Sequence, residues 1–403
     1  MTGAGGPGVV IVGAGLGGLR TAESLRAAGY AGPITVVGDE PHLPYNRPPL
    51  SKEALAGGVD VSGLEFRRKA SVDDVVWRLG SAAHSADLAA RTVTLADGTV
   101  LDFDALVVAS GIRPRRLPIP GPVQGRHLLR TADDAEAVRT ELGPGAHVII
   151  MGAGFIGCET AATARKLGAD VTIVALDEQP MVRPLGPELG AAMRRRHEAH
   201  GVHFHLGTTI DAFHGASDEG RVQSIALSDG TELPASLVIE AVGSVTNTEW
   251  LQGNGLDLSD GLLVDSAMQV ANDHAPVVAV GDIARHPNAL FDGIPHRIEH
   301  WNMPTETGRR AGQTLAALLA GEEPDRSPFT GMPSFWSDQY DHKLQSFGMP
   351  GLGTRSVLAE GDYDGPCVVE YHDDSGLVGV VSIDSTPALV PYRKAIMARP
   401  VVT

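Results

Sequence analysis

Short apolar strands followed by glycine-rich turns are the clearest pattern near the start of the chain. Residues 9–12 are Val-Val-Ile-Val, and they lead into Gly-Ala-Gly-Leu-Gly-Gly at residues 13–18. Apolar positions then recur with helical spacing over residues 19–25, and a second apolar run, Ile-Thr-Val-Val, occupies residues 34–37. This order predicts a strand, a glycine turn, a helix and a strand, the first unit of a dinucleotide-binding fold.

The same pattern returns later in the chain. Val-Ile-Ile-Met at residues 148–151 enters Gly-Ala-Gly-Phe-Ile-Gly at 152–157, and a helical segment and a strand at 171–174 follow. Glycines let the backbone approach a pyrophosphate, and the helix N-terminus offers N–H groups and the positive end of its dipole. Two such units predict two bound dinucleotides.

The two units differ at the end of the second strand, where an acidic residue normally binds the adenosine ribose. Asp39 and Glu40 supply that acid in the first unit. In the second unit the position is Ala175, followed by Asp177 and Glu178. Which residue binds the second ribose therefore stays open.

Two later apolar runs, at residues 237–242 and 277–280, end at Gly243 and close to Asp282. A buried strand that ends near an aspartate suits a ribose or ribityl hydroxyl, and an Asx turn is the alternative. After a polar, proline-containing stretch, alternating apolar positions in the last 75 residues or so predict a small, largely antiparallel domain.

Taken together, these motifs resemble the FAD-dependent ferredoxin reductases of the putidaredoxin-reductase type, which supply electrons to cytochromes P450 and Rieske oxygenases. The resemblance covers nearly the whole chain. Its most specific segments are Leu-Pro-Tyr-Asn-Arg-Pro-Pro-Leu-Ser-Lys at 43–52, Gly-Ile-Arg-Pro-Arg at 111–115, Leu-Arg-Thr-Ala-Asp-Asp-Ala at 129–135, Gly-Phe-Ile-Gly-Cys-Glu at 154–159 and Phe-Trp-Ser-Asp-Gln-Tyr at 335–340.

The resemblance implies an α/β fold of the glutathione-reductase type, with two Rossmann-like domains and a small C-terminal α+β domain. It implies a discontinuous FAD domain at residues 1–115 and 246–325, an NAD(P) domain at 116–245 and a C-terminal domain at 326–403. The implied activity is transfer of electrons from NADH, with NADPH possible, through FAD to a [2Fe–2S] ferredoxin. A rubredoxin reductase, an NADH oxidase and a signalling flavoprotein similar to apoptosis-inducing factor stay open.

The resemblance also implies site residues. Lys52 is expected to bind the flavin or counter the charge of its reduced ring, and Glu159 to meet Lys52 across the domain boundary. Trp301 and Trp336 are expected beside the flavin. The residues implied to bind FAD are Gly13, Gly15, Gly17, Gly18, Asp39, Glu40, Arg47, Lys52, Ala83, Arg130, Asp282 and Trp301, and those implied to bind NAD(P) are Gly152, Gly154, Phe155, Ile156, Glu159 and Gly243.

Composition narrows the alternatives. The chain has 49 acidic and 32 basic residues, and a net charge of −17 disfavours nucleic-acid binding. Its 2 cysteines, Cys158 and Cys367, form no CxxC pair, which argues against a dithiol redox centre and for a reducing compartment. Without a membrane-length apolar run or a basic N-terminal leader, we expect a cytoplasmic protein, monomeric or weakly dimeric.

Two charged clusters carry weaker expectations. Four histidines lie between residues 197 and 205, but no carboxylate or cysteine set completes a ligand group, so no metal site is predicted. The arginines at 194–196 and 309–310 are predicted to form solvated helix faces. Docking of an acidic partner is the alternative.

Overall fold

The structure is a computed structural model that describes residues 7–402. Residues 1–6, on which the expectation of no leader largely rests, lie outside the described residues. The first elements, in chain order, are β1 (Val9–Val12), α1 (Leu16–Ala27), β2 (Ile34–Val37), α2 (Glu53–Gly57), α3 (Val61–Leu64), β3 (Val76–Arg78), β4 (Ala83–Asp87), β5 (Thr92–Leu95), β6 (Val100–Asp102), β7 (Ala105–Val108) and β8 (Ile112–Pro114).

The middle of the chain contains the second glycine-rich unit. Its elements are β9 (Arg126–His127), α4 (Ala132–Arg139), β10 (His147–Met151), α5 (Phe155–Lys166), β11 (Asp170–Ala175), α6 (Val182–Ala199), β12 (Val202–Leu206), β13 (Ile210–Gly215), β14 (Val222–Leu227), β15 (Glu232–Pro234), β16 (Leu237–Glu240) and β17 (Ser244–Thr246).

The remainder returns to the first unit and then forms the C-terminal part. Its elements are β18 (Leu262–Leu263), β19 (Val277–Ala279), β20 (Ala284–His286), β21 (His296–Arg297), α7 (Met303–Ala320), β22 (Ser334–Gln339), β23 (His342–Gly348), β24 (Arg355–Gly361), β25 (Cys367–Asp373), β26 (Gly376–Ile383) and α8 (Leu389–Met397).

Two parallel five-stranded sheets form the centre of the molecule. The first has the order β19-β7-β1-β2-β3, and the second has the order β12-β11-β10-β16-β9. All their strand pairs are parallel. The central strands are continuous apolar runs because both faces of each sheet are covered. Helix α5 packs on one face of the second sheet and strands β13 and β14 pack on the other, while α1 and β5 share the core of the first sheet. Val9–Val12 and Val148–Met151 are accordingly buried throughout.

The first sheet is assembled from distant parts of the chain. β19 pairs with β7 in the order given above, although the whole second sheet lies between them in sequence. Helix α7 packs on α1 at the same place, where Gly308 and Gly312 allow close approach to Thr21 and Ser24. The two crossings between the parallel sheets, β8 and β17, pair with each other antiparallel.

The C-terminal part is an antiparallel sheet with the order β22-β23-β26-β25-β24, covered by α8. Its buried side chains share one apolar cluster with the second parallel sheet. The predicted fold class, two Rossmann-like units with a small C-terminal α+β unit, is confirmed.

The prediction that the arginine clusters form solvated helix faces is wrong for two residues. Arg196 is buried, and its guanidinium donates to the carbonyl oxygens of Tyr363 at 2.8 Å and Gly365 at 3.0 Å. Arg310 is largely covered and pairs with Asp325 at 2.7 Å. A guanidinium is planar and has five N–H donors, so it can hold a loop in place by donating to several of its carbonyl oxygens.

Candidate active site

The two glycine-rich turns have the same internal geometry. Gly13 and Gly152 adopt φ values of 122° and 106°, a region that side chains disfavour. Added Cβ atoms on Gly18 and Gly157 would clash with the carbonyl oxygens of Gly13 and Gly152, so these glycines let helix and strand approach closely. The glycines therefore build the turns before any ligand is considered.

The middle glycine of each turn has a different environment. A Cβ added at Gly15 or Gly154 would meet no atom within 4 Å. Each is the N-cap residue of its helix, no side chain caps either helix, and neither first turn contains an acid. The N-terminal N–H groups are thus left for an external anion, and the residues present fit a pyrophosphate at both turns.

The two turns differ at the position of Gly17, which is Ile156 in the second turn. Gly17 lies against Val280 and Pro304, and an added Cβ would be 3.1 Å from the Val280 Cγ2 atom. The equivalent Ile156 is exposed, and Phe155 packs on Phe335 with ring centroids 4.8 Å apart and ring planes inclined by 52°. Close packing at Gly17 is therefore a property of the first turn alone.

Beyond β2, Glu40 and Arg47 form an ion pair, and the Tyr45 hydroxyl donates to Glu40 at 2.5 Å. Arg47 also donates to the carbonyl oxygen of Arg130 at 2.8 Å. Asp39 is exposed. Glu40 therefore orients Arg47, whereas the exposed carboxylate of Asp39 has no ion-pair partner among residues 7–402 at this strand end and is available to a ligand.

Arg130 and Asp282 come together from segments far apart in sequence. The Arg130 guanidinium lies 3.1 Å from the Asp282 carboxylate, just beyond β19. Burial raises the pKa of Asp282, and the charge of Arg130 opposes that rise. Ala83, at the start of β4, is half-buried against the core of the first sheet.

The predicted contact between Lys52 and Glu159 is present. The Lys52 Nζ atom lies 2.6 Å from Glu159 Oε2 and donates to the Pro48 carbonyl oxygen at 3.2 Å. Both side chains are largely buried, with exposed fractions of 13% and 5%. An ammonium group has three donors, so one remains for a ligand.

Trp301 and Trp336 contact each other edge to face, with ring centroids 5.4 Å apart. The Trp301 indole N–H donates to the Asn46 side chain at 2.8 Å. Trp301 is 40% exposed, so this aromatic pair lies at the surface. The neighbouring His300 has a buried Nδ1 atom without a hydrogen-bond partner, and burial lowers its pKa to about 4.

At the second ribose position, Ala175 is nearly buried at the end of β11, and the next side chain, Leu176, is 71% exposed. Asp177 lies 3.6 Å from the guanidinium of Arg183, whose side chain is 85% exposed. Gly243, with a φ of 93°, lies beyond β16 and has open space around it. A carboxylate (Asp177) and a cation (Arg183) therefore both lie near this strand end.

Residues 7–308 match the family described as pyridine nucleotide-disulphide oxidoreductase, and residues 334–403 match one described as reductase C-terminal. The chain belongs to the pyridine nucleotide-disulphide oxidoreductase family.

Relatives of this oxidoreductase include rhodocoxin reductase of Rhodococcus erythropolis, 34% identical over 96% of this chain and 88% of that protein. The anthranilate 1,2-dioxygenase system ferredoxin–NAD(+) reductase component of Burkholderia cepacia is 36% identical over 89% and 86%. A crystal structure of the covalent putidaredoxin reductase–putidaredoxin complex superposes with a TM-score of 0.89, at 32% identity, over 97% of this chain and 93% of that chain.

Both cysteines of this oxidoreductase are buried and form no disulfide with each other. Cys158 and Cys367 are free and have exposed fractions of 0% and 1%. Burial raises the pKa of both thiols, which keeps them protonated. Over residues 7–402 no group of three or more His, Cys, Asp or Glu side chains could hold a metal ion, and no helix there is long and apolar enough to cross a membrane.

Sequence reasoning missed the serines around Glu159 in this oxidoreductase. Ser51 and Ser337 each donate a hydroxyl hydrogen bond of 2.6 Å to its carboxylate, one to each oxygen. Thr163, one helical turn after Glu159, donates to the Ser51 carbonyl oxygen at 2.8 Å. The available signal was the alternation of Phe335, Ser337 and Gln339 in β22, which places them on one face.

Proposed function

We propose that this chain is a flavoprotein reductase that uses NAD(P)H to reduce a ferredoxin by way of FAD. The observation that carries the proposal is the buried contact between Lys52 and Glu159. Lys52 belongs to the segment after the first glycine turn, and Glu159 to the helix that begins at the second. The two nucleotide sites thus meet at one charged pair.

We assign the first turn to FAD and the second to NAD(P)H. The first unit has a free acid at its strand end and the Arg130–Asp282 pair, which suit the hydroxyl-rich chain of FAD. We propose the matching division into an FAD domain at 1–115 and 246–325, an NAD(P) domain at 116–245 and a C-terminal domain at 326–403. Assembly of the first sheet from both flanks of the second supports it.

FAD bound at the first turn would supply a hydride acceptor and a donor of single electrons. The chain's own contribution is alignment and charge. The turns at Gly15 and Gly154 bind the pyrophosphates, and Lys52 offers its remaining N–H to the flavin. Glu159 and the Pro48 carbonyl oxygen hold the ammonium in place. No side chain needs to act as acid or base, because a hydride moves without a separate proton.

We propose a [2Fe–2S] ferredoxin as electron acceptor. Both cysteines are buried and their thiols remain protonated, so the protein offers no dithiol that could store the electrons. The electrons must leave to an external carrier. The partly exposed Trp301, in contact with Trp336, lies at the surface where such a carrier could approach. We further propose a monomer or weak dimer that acts in the cytoplasm.

We propose NADH as the preferred nucleotide with modest discrimination. Ala175 offers no acceptor to the ribose hydroxyls, so Asp177 or Glu178 must supply one. Arg183 is the nearby cation for the 2′-phosphate of NADPH, but Asp177 already engages it. Neither nucleotide therefore has a complete site.

The test is to measure bound FAD and then NADH-dependent reduction of several [2Fe–2S] ferredoxins, with ferricyanide as a small acceptor. We expect one non-covalent FAD per chain and rapid reduction of at least one ferredoxin. Lys52→Met should slow ferricyanide reduction at least tenfold, or about 1.4 kcal/mol, because the ammonium group assigned to the flavin is removed. Lys394→Met, an exposed lysine on α8, is the matched control. Protein that stays colourless after refolding with excess FAD contradicts the proposal.

A further inference from the structure

Strand β22 runs along helix α5 with matching side-chain spacing. Phe335 packs on Phe155, and two residues later Ser337 binds Glu159, which lies four residues after Phe155. Two residues of strand advance about 6.6 Å and four residues of helix about 6.0 Å, so the contacts stay in register. The C-terminal sheet therefore reaches the charged pair through one face of one strand.

From Ser337 a chain of buried hydrogen bonds continues away from Glu159. The Gln339 amide donates to the Ser337 hydroxyl at 2.9 Å, and its oxygen lies 2.7 Å from His197 Nε2. The other ring nitrogen of His197 lies 3.3 Å from the Tyr340 hydroxyl. The exposed fractions of Ser337, Gln339 and His197 are all 1% or less.

The direction of every bond in this chain is fixed. Burial lowers the pKa of His197 to about 4, so the ring is neutral and has one N–H. The Gln339 oxygen can only accept, so that N–H lies on Nε2 and Tyr340 donates to the other nitrogen. The amide then donates to Ser337, whose hydroxyl hydrogen is left for Glu159. All donors point towards the carboxylate.

We propose that Ser337 is a positioning residue for flavin reduction, which holds Glu159 as an oriented anion by means of the aligned chain Tyr340–His197–Gln339–Ser337. The inference rests on the proposed function only in placing the flavin at Lys52. Its new content is that the C-terminal sheet, and not only the two nucleotide-binding units, sets the electrostatics of the Lys52–Glu159 pair.

The physical consequence concerns the charge next to the flavin. Hydrogen bonds in a chain polarise one another, and donors to a carboxylate stabilise its charge. Without the Ser337 hydroxyl, the Glu159 carboxylate has one donor fewer, so its charge is balanced to a larger extent by the Lys52 ammonium. Less positive charge then faces the reduced flavin, and the Gln339 amide loses its acceptor. Reduced flavin should become less stable and hydride transfer slower.

The experiment uses the FAD-loaded protein with Ser337→Ala. The flavin midpoint potential is measured by dye equilibration, and flavin reduction by NADH is followed in rapid mixing. We expect reduction about tenfold slower with little change in the KM for NADH. The potential should fall by about 30 mV, a tenfold change for a two-electron couple. Ser337→Thr, which keeps the hydroxyl, should retain the parent potential and a reduction rate within about twofold of the parent.

Ser346→Ala is the matched control. Ser346 lies in the same sheet on β23 and is buried, but its hydroxyl has no hydrogen-bond partner. It should leave potential and rate unchanged. Gln339→Leu, which removes the donor to Ser337 together with the acceptor of the His197 Nε2–H group, should shift both values in the same direction but less, because the Ser337 hydroxyl remains on Glu159. It replaces Ser337→Ala if that variant does not fold.

The outcomes separate this inference from the proposed function. If NADH and NADPH both fail to reduce the flavin of the parent protein, the proposed function is wrong. If the parent is reduced but a folded Ser337→Ala or Gln339→Leu protein keeps the parent potential and rate, the positioning role is wrong. Equal losses in Ser337→Thr and Ser337→Ala would also overturn it, because the hydroxyl would then be irrelevant.

Discussion

Ala175→Glu is the substitution that tests nucleotide recognition most directly. Ala175 is the last residue of β11, the second strand of the unit assigned to NAD(P)H, and its side chain is only a methyl group. At that position in a dinucleotide-binding fold a carboxylate accepts hydrogen bonds from the ribose hydroxyls. The parent protein has only Asp177 and Glu178 nearby, and Arg183 partly neutralises Asp177.

The magnitude follows from the bonds gained and the charge introduced. Hydrogen bonds to a charged group contribute about 1.5–3 kcal/mol each when buried, and partial exposure of this strand end lowers that gain. We expect a net gain of about 1–3 kcal/mol for NADH, or roughly ten- to a hundredfold. The same carboxylate repels the 2′-phosphate of NADPH. The preference for NADH over NADPH should therefore increase both because NADH binds more tightly and because NADPH binds more weakly.

The assay is kcat/KM for NADH and NADPH with ferricyanide, in the parent and in Ala175→Glu. Leu176→Glu is the matched control, because its side chain is 71% exposed and adds the same charge one residue away. Ala175→Gln separates hydrogen bonding from charge. A selectivity ratio that changes less than threefold in Ala175→Glu, or equally in Leu176→Glu, would refute the assigned ribose position. A thousandfold preference of the parent for NADPH would refute the site itself.

Three further predictions concern thiols, docking and pH. Cys158→Ser with Cys367→Ser should keep ferricyanide reduction within about threefold, since buried protonated thiols take no part in turnover; a folded but inactive double variant would contradict this. Arg309→Glu should raise the KM for an acidic ferredoxin about two- to fivefold at low salt and spare ferricyanide reduction, whereas an unchanged KM would exclude this helix face from docking. Burial lowers the pKa of His286 from 6.5 to about 4, so the unfolded chain binds the proton first. His286 should therefore lower the free energy of unfolding by about 1.4 kcal/mol for each unit that the pH falls between 6.5 and 4, in addition to what His197 and His300 contribute. Urea unfolding should show a pH slope smaller by that amount in His286→Phe; equal slopes would contradict the cause.

Much of the fold could be read from the chain because its signals are local. A β-branched run of four residues, a turn that only glycine can make and a helix with apolar spacing lie within about thirty residues of each other. The two glycine turns could be assigned for that reason. Their middle glycines, Gly15 and Gly154, have the open space that a bound pyrophosphate needs.

The Lys52–Glu159 contact was predicted from resemblance, not from local pattern. Its members are separated by 107 positions in the chain, and nothing within either segment states that they meet. Arg196 shows the opposite case, since a run of three arginines on a helix indicates a solvated face. Its burial depends on carbonyl groups of Tyr363 and Gly365, which no helical pattern contains.

What the sequence determined by itself is therefore the two strand–turn–helix–strand units with their nucleotide-binding turns, the antiparallel C-terminal unit and the absence of a dithiol pair. Only the tertiary structure decided that Ser337 of the C-terminal sheet joins Ser51 on the carboxylate of Glu159, each at 2.6 Å. The physical reason is the separation along the sequence of the residues that make each contact. Turns and helices form through contacts between neighbours in sequence, whereas a buried carboxylate takes donors from any segment that packing brings within hydrogen-bond distance.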